Sequence, residues 1–424
     1  MLDLRYIREN VAAIKENCHY RLATVDIDKI IALDEQRRSL QQELDELRAK
    51  RNNWSKQKPT PEQIEAIKDN NLKIKDGEEK LALIIEELDA LVLTVPNLTH
   101  PDVVRSLDED DNPVLEQSGQ PTKFDFEPKD HLALAEQWNW LDFERAAKVT
   151  GAKFYYTCND LVWLELALAQ YALAKIAQHG FTVMTTPDLA KTEVIERLGY
   201  CPRGESSQIY NIEEHGLSLI GTAEITLGGY HQDEIIAGEK LPLRYVGFSQ
   251  CFRTEAGSYS KFAKGIFRVH QFNKVEMFVY CTPEDSEQEH QNILEIEKEI
   301  FNDLEIPFRV IDHCTADLGA PSIRTFDLEA WMPGKPSKDG QLGDWAEVTS
   351  TSNCTNYQSR GLNIKYSTTD GNKQLVHTLN GTGISLARAL IALIENGQQA
   401  DGRIKLPQSL RPFLPIELKT MYFA

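Results

Sequence analysis

The sequence predicts an α+β fold, a domain built on an antiparallel sheet and preceded by an antiparallel helical coiled-coil arm. Three observations carry this. Apolar residues recur at heptad spacing through residues 1–100; later segments mix helical periodicity with short period-two runs, without the strict strand–helix–strand cycle of a doubly wound sheet. A stretch rich in Pro and Asp, residues 101–130, separates the two regimes and reads as a linker, leaving 131–424 as the second domain.

Within the arm, Ile30, Leu33, Leu40, Leu44, Leu47 and Trp54 occupy a and d positions of one heptad register, interrupted by Arg37 and Arg51. A second register runs through Ile67, Ile74, Leu81, Ile84, Leu88, Leu91 and Val95, with Asn70 and Gly77 as weak points. The prolines of KQKPTP, Lys56 to Pro61, cannot continue a helix, so the two registers read as a hairpin of two arms, each about 30 residues and roughly 45 Å long. Residues 35–58 hold seven Lys/Arg against four Asp/Glu, and residues 61–95 hold four against nine. A polyanion would therefore meet the first helix and the tip, at Arg48, Lys50, Arg51, Lys56 and Lys58. The ordinary alternative is a solvated coiled-coil surface with no partner.

Beyond the linker, a helical stretch is expected around His131 to Lys148, followed by a helix from Asp160 to Gln178 that His179-Gly180 ends. Phe181 to Met184 reads as a short strand stopped at Pro187, and Pro333 to Asp344, PGKPSKDGQLGD, as a surface loop.

Composition sets bounds on function. At 424 residues, with 41% hydrophobic and 26% charged positions, the chain is long enough for two or three domains. No apolar run has the length of a membrane span and the first residues lack a signal-peptide core, so the default expectation is a cytoplasmic protein without a membrane partner. A net charge of −19 means that any nucleic acid is bound through local basic patches. The seven cysteines are odd in number and lack CxxC pairs, which points to reduced thiols rather than a disulfide framework or a zinc site.

The sharpest local contrast lies between Arg244 and Glu276, where six cations (Arg244, Arg253, Lys261, Lys264, Arg268, Lys274) face two acids, Glu255 and Glu276. If Arg268 to Phe278 is a strand, Arg268, His270, Phe272, Lys274 and Glu276 share a polar face, and Val269, Val275 and Met277 the apolar one. Arg253 and Glu255 precede a Gly/Ser/Lys-rich reversal, so the unit reads as two strands joined by a long basic loop that handles an anion. A half-exposed sheet with solvated charges is the plain alternative.

Three more stretches carry chemistry. In GTAE, Gly221 to Glu224, an extended backbone puts Thr222 and Glu224 on one side, suited to gripping an ammonium group. In EVTSTSNC, Glu347 to Cys354, hydroxyls beside an acid are hard oxygen ligands of the kind Mg²⁺ prefers, although Glu347 and Ser350 have opposite parity and need a bulge or strand end to act together. In LNGTGISLARALIALIEN, Leu379 to Asn396, a Gly-rich turn enters a helix with Arg388 near its start, which suits phosphate oxygens. A Gly-bracketed helix start is also common architecture.

Taken together and in this order, these elements resemble seryl-tRNA synthetases of the bacterial and eukaryotic type, within the class II aminoacyl-tRNA synthetases, essentially end to end. The hairpin looks like the family's tRNA-binding arm, and Gly180 to Pro187 like the motif 1 region at its dimer interface. Phe252 to Glu276 is similar to motif 2 and Leu379 to Asn396 to motif 3. The resemblance implies a class II antiparallel-sheet catalytic domain, a homodimer, and ATP-dependent conversion of L-serine to seryl-adenylate. It further implies transfer to the 3′-terminal adenosine of tRNA(Ser), and of tRNA(Sec) where one is present.

By the same resemblance, Thr222, Ala223 and Glu224 form the serine-binding element, with Glu276, Asn380 and Thr382 recognising the rest of serine. Arg253 bridges the serine carboxylate and the α-phosphate, Glu255 contacts the adenine amino group, and Phe272 stacks on adenine. Thr254, Val269, Val348 and Thr349 complete the ATP site, Arg388 meets the γ-phosphate, and Glu347 and Ser350 form the Mg²⁺ pair; Arg253, Glu276 and Arg388 are the catalytic set. The chain departs from many relatives in the loop Ser258 to Lys264, at Gly221 before TAE, and in the segment GYCPRGESSQIYNI. A paralogue making seryl-adenylate for another acceptor, or a non-catalytic coiled-coil protein, are the rival readings; the arm and the intact Arg253, Glu276 and Arg388 weigh against them.

Overall fold

The computed structural model describes residues 1–54, 60–200, 207–256, 263–414 and 417–423. The chain divides into two compact units, Met1–Leu98 and Thr99–Ala424.

The first unit opens with short helices α1 (Leu4–Glu9) and α2 (Val11–Tyr20), followed by the long pair α3 (Ile27–Trp54) and α4 (Pro61–Leu93). Thr60 caps α4, with Pro61 in the first turn and the Thr60 N–H donating in return to the Gln63 side-chain oxygen, so a proline opens the second helix. The seam buries Leu44, Ile74 and Leu81 against Leu40 and Leu47. The two weak points of the second heptad turn out to be seam positions with partners. Asn70 is buried and donates to the Leu47 carbonyl at 3.1 Å. Gly77 is where Leu44 enters: a Cβ there would lie 2.7 Å from Leu44 Cδ2. Cross-arm pairs Lys29–Glu87 (2.6 Å) and Arg48–Glu78 (2.8 Å) set the antiparallel register. Near the hairpin's root, buried Asp34 is shared by Arg8, Arg37 and Arg38 at 2.7, 2.7 and 3.1 Å.

The second unit is organised by an eight-stranded sheet. In chain order its strands are β1 (Val114–Ser118), β2 (Thr182–Thr185), β3 (Leu243–Phe252), β4 (Gln271–Cys281), β5 (Phe308–Asp312), β6 (Arg324–Pro336), β7 (Leu342–Thr355) and β8 (His377–Ser385). Their spatial order is β1-β5-β6-β7-β8-β4-β3-β2, antiparallel throughout except for β2 beside β3. The helices flanking and following these strands are α5 (His131–Trp138), α6 (Phe143–Val149), α7 (Asp160–Ala177), α8 (Glu224–Gly228), α9 (Ser286–Asp303), α10 (Tyr357–Gly361) and α11 (Leu386–Gly397). One face of the sheet packs on α7, α9 and α11, burying Val275, Met277 and Val279 of β4 with Leu164, Phe301 and Leu390.

Four sequence expectations change here. Residues 101–130 include strand β1, which pairs with β5 at the sheet's edge. The stretch 131–148 is two helices, because Asn139 takes a left-handed conformation (φ 54°) and Asp142 caps a new helix. Most of Pro333–Asp344 is strand rather than loop; only 337–341 turns, held by Lys335 bonded to Asp344 and to the Trp345 carbonyl, with Trp331 against Trp345. The strand expected from Arg268 begins instead at Gln271, leaving Arg268 and His270 in the preceding turn.

Candidate active site

The strand alternation read from the sequence does hold on β4 itself. Val275, Met277 and Val279 join the helix-side core, while Lys274 and Glu276 emerge on the opposite face. Nζ of Lys274 lies 2.5 Å from Glu276, both side chains are buried, and Thr382 of β8 donates to the same carboxylate at 3.4 Å.

Arg253 leaves the end of β3 under tight backbone control. Its N–H donates to the His270 carbonyl at 3.0 Å, and His270 Nδ1 lies 2.9 Å from the Arg253 carbonyl. Its Nε donates to the Gly221 carbonyl at 3.2 Å and its guanidinium lies 5.3 Å from the centre of the Phe272 ring. Glu255 adopts a positive φ of 52°, which turns its carboxylate toward Arg268 at 3.4 Å. The Thr254 hydroxyl donates to the Ser207 carbonyl at 2.5 Å. Lys264 pairs with Asp130, and Lys261 lies outside the described residues.

Two open clefts meet at Arg253, Glu255 and Arg268. One, of about 480 Å³, is lined by Phe272, Val269, Thr382, Glu347 and Arg388. The other, of about 1030 Å³, is lined by Tyr200, Gln208, Thr222 and Ile225.

The Gly-rich piece expected as a turn is the strand β8. Glycine is required there because helices press on its backbone: a Cβ at Gly381 would sit 2.2 Å from Ile293 of α9, and one at Gly383 2.5 Å from Ile176 of α7. Arg388 follows in the first turn of α11, 2.8 Å from the Glu347 carboxylate and 4.7 Å from the centre of the Phe267 ring. Asn380 is buried with its amide toward Cys354 Sγ at 3.6 Å.

GTAE is not extended as expected. Thr222 sits in a bend, its hydroxyl accepting from the Glu224 N–H at 3.2 Å, and Glu224 opens α8; Ala223 is buried in a second core cluster. The Glu224 carboxylate accepts from Gln358 at 2.7 Å and from the Tyr200 phenol at 2.5 Å. Burial and the nearby Glu276 push its pKa above the ordinary carboxylate value.

The parity conflict between Glu347 and Ser350 is resolved by a β-bulge. Leu328 of β6 faces Thr349 while its neighbour Glu329 faces Glu347, so Val348 is an extra residue. Val348 enters the helix-side core, Thr349 donates to Glu297 on α9 at 2.7 Å, and Glu347 and Ser350 share the cleft side. Although desolvation opposes ionisation, the cations Arg388, Arg253 and His313 hold the Glu347 carboxyl below its ordinary pKa. A carboxylate and a hydroxyl on one face suit a hard divalent cation such as Mg²⁺.

Sequence reasoning missed Asp327, the cross-strand partner of Ser350, which is buried beside His313 at 3.0 Å. The signal was there: Phe326, Leu328 and Ala330 point into the core, which turns Asp327 and Glu329 to the other face. His313 has carboxylates at both ring nitrogens, the second being Asp317 at 3.4 Å. Burial alone would lower its pKa, but Asp327 and Asp317 raise it from 6.5 to about 10. With the folded value above the unfolded one, the stabilisation is complete below pH 6.5 and is lost as pH rises toward about 10. Unfolding free energies should therefore fall more steeply between pH 7 and 10 in the native chain than in His313→Gln, as measured by urea titration; equal slopes would refute the assignment.

On the arm, Arg48 is paired with Asp45 and Glu78, while Lys50 and Arg51 are exposed. Lys56 and Lys58 lie outside the described residues.

Comparison with known proteins agrees at every scale. Residues 208–397 match the tRNA synthetase class II core domain (G, H, P, S and T), and residues 1–99 match the seryl-tRNA synthetase N-terminal domain. The chain is 49% identical to a serine–tRNA ligase of Treponema denticola over 97% of its own length and 98% of that protein. It is 48% identical to one of Dictyoglomus turgidum, with 98% of each chain covered. Among solved structures, the seryl-tRNA synthetase of Pyrococcus horikoshii complexed with ATP is similar with a TM-score of 0.86 and 37% identity, over 98% of this chain and 99% of that one. With its two-cleft site, its helical hairpin and these full-length matches, the chain belongs to the seryl-tRNA synthetase family.

Proposed function

We propose that the chain activates L-serine with ATP and transfers the seryl group to the 3′-terminal adenosine of tRNA(Ser). The observation that carries this is the position of Arg253 between two clefts, one lined by Thr222 and Tyr200 and the other by the Arg388 cation and the Phe272 ring.

Serine lies beside Arg253 where the two clefts meet, its ammonium at Thr222 and Glu224 and its hydroxyl toward Glu276, Asn380 and Thr382. ATP lies in the cleft of Phe272, its adenine against that ring and Glu255, and its γ-phosphate toward Arg388. The serine carboxylate then attacks the α-phosphorus in line, the bond to the bridging β-oxygen breaks, and pyrophosphate leaves. Arg253, with a planar fork able to reach both reactants, offsets the charge shared between carboxylate and phosphate. Glu347 and Ser350 would hold a Mg²⁺ ion, which supplies charge neutralisation at the phosphates when bound. In the second step the terminal ribose hydroxyl attacks the adenylate carbonyl and AMP leaves. A serine site lined by buried polar groups penalises alanine, which would leave them unpaired.

The arm carries the tRNA, with Lys50 and Arg51 on its exposed surface, and a second copy of the chain pairs along the motif 1 region around β2. Among the described residues no helix is long and apolar enough to cross a membrane.

One experiment tests both halves. Serine should support pyrophosphate exchange and charging of purified tRNA(Ser), and reversing the charges of Lys50 and Arg51 should weaken tRNA binding about tenfold or more while leaving exchange unchanged. Exchange without charged tRNA would point to another acceptor, and unchanged tRNA affinity would return the arm to a solvated surface.

A further inference from the structure

Tyr200 belongs to none of the elements the resemblance singles out. It follows the short helix Thr192–Arg197, where Gly199 takes a left-handed turn (φ +99°) and the Tyr200 N–H returns to the Ile195 carbonyl at 3.2 Å. That turn places the ring on the second core cluster and along the larger cleft. The phenol donates to Glu224 Oε2 at 2.5 Å.

The other oxygen of Glu224 is held as firmly. Gln358 Nε2 donates to Oε1 at 2.7 Å, and the Gln358 amide cannot turn over because its own oxygen accepts from the Thr378 hydroxyl at 2.8 Å. Gln358 and Thr378 are fully buried, and 6% of Glu224 is exposed. Among the described residues each carboxylate oxygen thus has one lone pair spent on a neutral donor, and the pair left over on each is what a ligand can use. Burial and the neighbouring Glu224 raise the Tyr200 pKa well above its ordinary value, which keeps the phenol a donor.

We propose that Tyr200 is a positioning residue for the α-ammonium group of the amino acid, clamping Glu224 from one side while Gln358 clamps it from the other, so that the carboxylate meets an ammonium in one fixed orientation. This rests on the reading of Glu224 as the ammonium-binding group. A carboxylate fixed on both oxygens makes the site selective for amines at this position: ligands lacking the amino group gain nothing from it.

The test uses two non-hydrolysable adenylate analogues, 5′-O-[N-(L-seryl)sulfamoyl]adenosine and its counterpart without the α-amino group, titrated calorimetrically into the full chain. Tyr200→Phe keeps the ring and removes only the hydroxyl. It should weaken the amine-bearing analogue about tenfold, the size of one hydrogen bond to a charged group, and leave the des-amino analogue within about twofold. Thr378→Val, which frees the amide to turn over, should act in the same direction and provides a second route if Tyr200→Phe folds poorly. Equal weakening of both analogues would make Tyr200 a structural wall and overturn the proposal, as would no weakening of either. Glu224→Gln separates this from the underlying reading: if it spares both analogues, the ammonium assignment itself falls, whereas selective weakening by Glu224→Gln with a silent Tyr200→Phe removes the clamp alone.

Discussion

Arg253→Ala should reduce serine-dependent ATP–pyrophosphate exchange at least about a thousandfold, because in the proposed reaction one side chain serves two anions and a single lost transition-state donor already costs a hundredfold to a thousandfold. The fold should survive. The guanidinium lines two clefts and, among the described residues, bonds the Gly221 carbonyl, while the backbone bonds to His270 that fix this corner remain. Arg253→Lys should not rescue the rate, since an ammonium point charge cannot offer the planar fork to carboxylate and phosphate together. Thermal unfolding within a few degrees of the native chain, combined with lost exchange, is the expected pair of results; exchange retained above one-tenth would remove Arg253 from the chemistry.

The second large effect concerns stability. Lys274 and Glu276 form an ion pair whose side chains are 8% and 2% exposed, and Glu224 also acts electrostatically within this group. Removing one partner of a buried pair leaves an uncompensated charge, so Lys274→Met should cost about 3–5 kcal/mol in unfolding free energy. Saturating serine should recover part of the loss, because its ammonium would bring a cation back beside the two carboxylates. A loss below about 1 kcal/mol by urea titration would mean that water reaches the pair and screens it.

These expectations rest on features that differ in how far a sequence exposes them. The face of β4 was readable because a regular strand has period two, and the arm because its seam recurs every seven residues. What broke the reading each time was a contact with something distant in the chain. Val348 is an extra residue only relative to β6, so parity counting placed Glu347 and Ser350 on opposite faces when the bulge brings them together. Glycines usually mark turns, yet those of β8 are there because Ile293 and Ile176 occupy the space a side chain would need. Glu224 reads locally as part of an extended TAE, whereas its carboxylate is held by Tyr200, 24 positions away, and Gln358, 134 positions away. Strand β1 lies among acidic and proline residues that signal a linker, and only its pairing with β5 makes it part of the sheet.

The glycines of β8 have a mechanical consequence. Where a strand carries side chains on its helix face, rotamers form a compliant layer that absorbs small displacements of the helices. At Gly381 and Gly383 that layer is missing, and α9 and α7 rest directly on the main chain. Asn380 and Thr382, which alternate with these glycines and are proposed above to meet the amino acid, are thereby seated on rigid bearings. A helix cannot shift by a fraction of an ångström without carrying them along, so on the proposed function the stiffness of the scaffold would serve the discrimination of a ligand as small as serine.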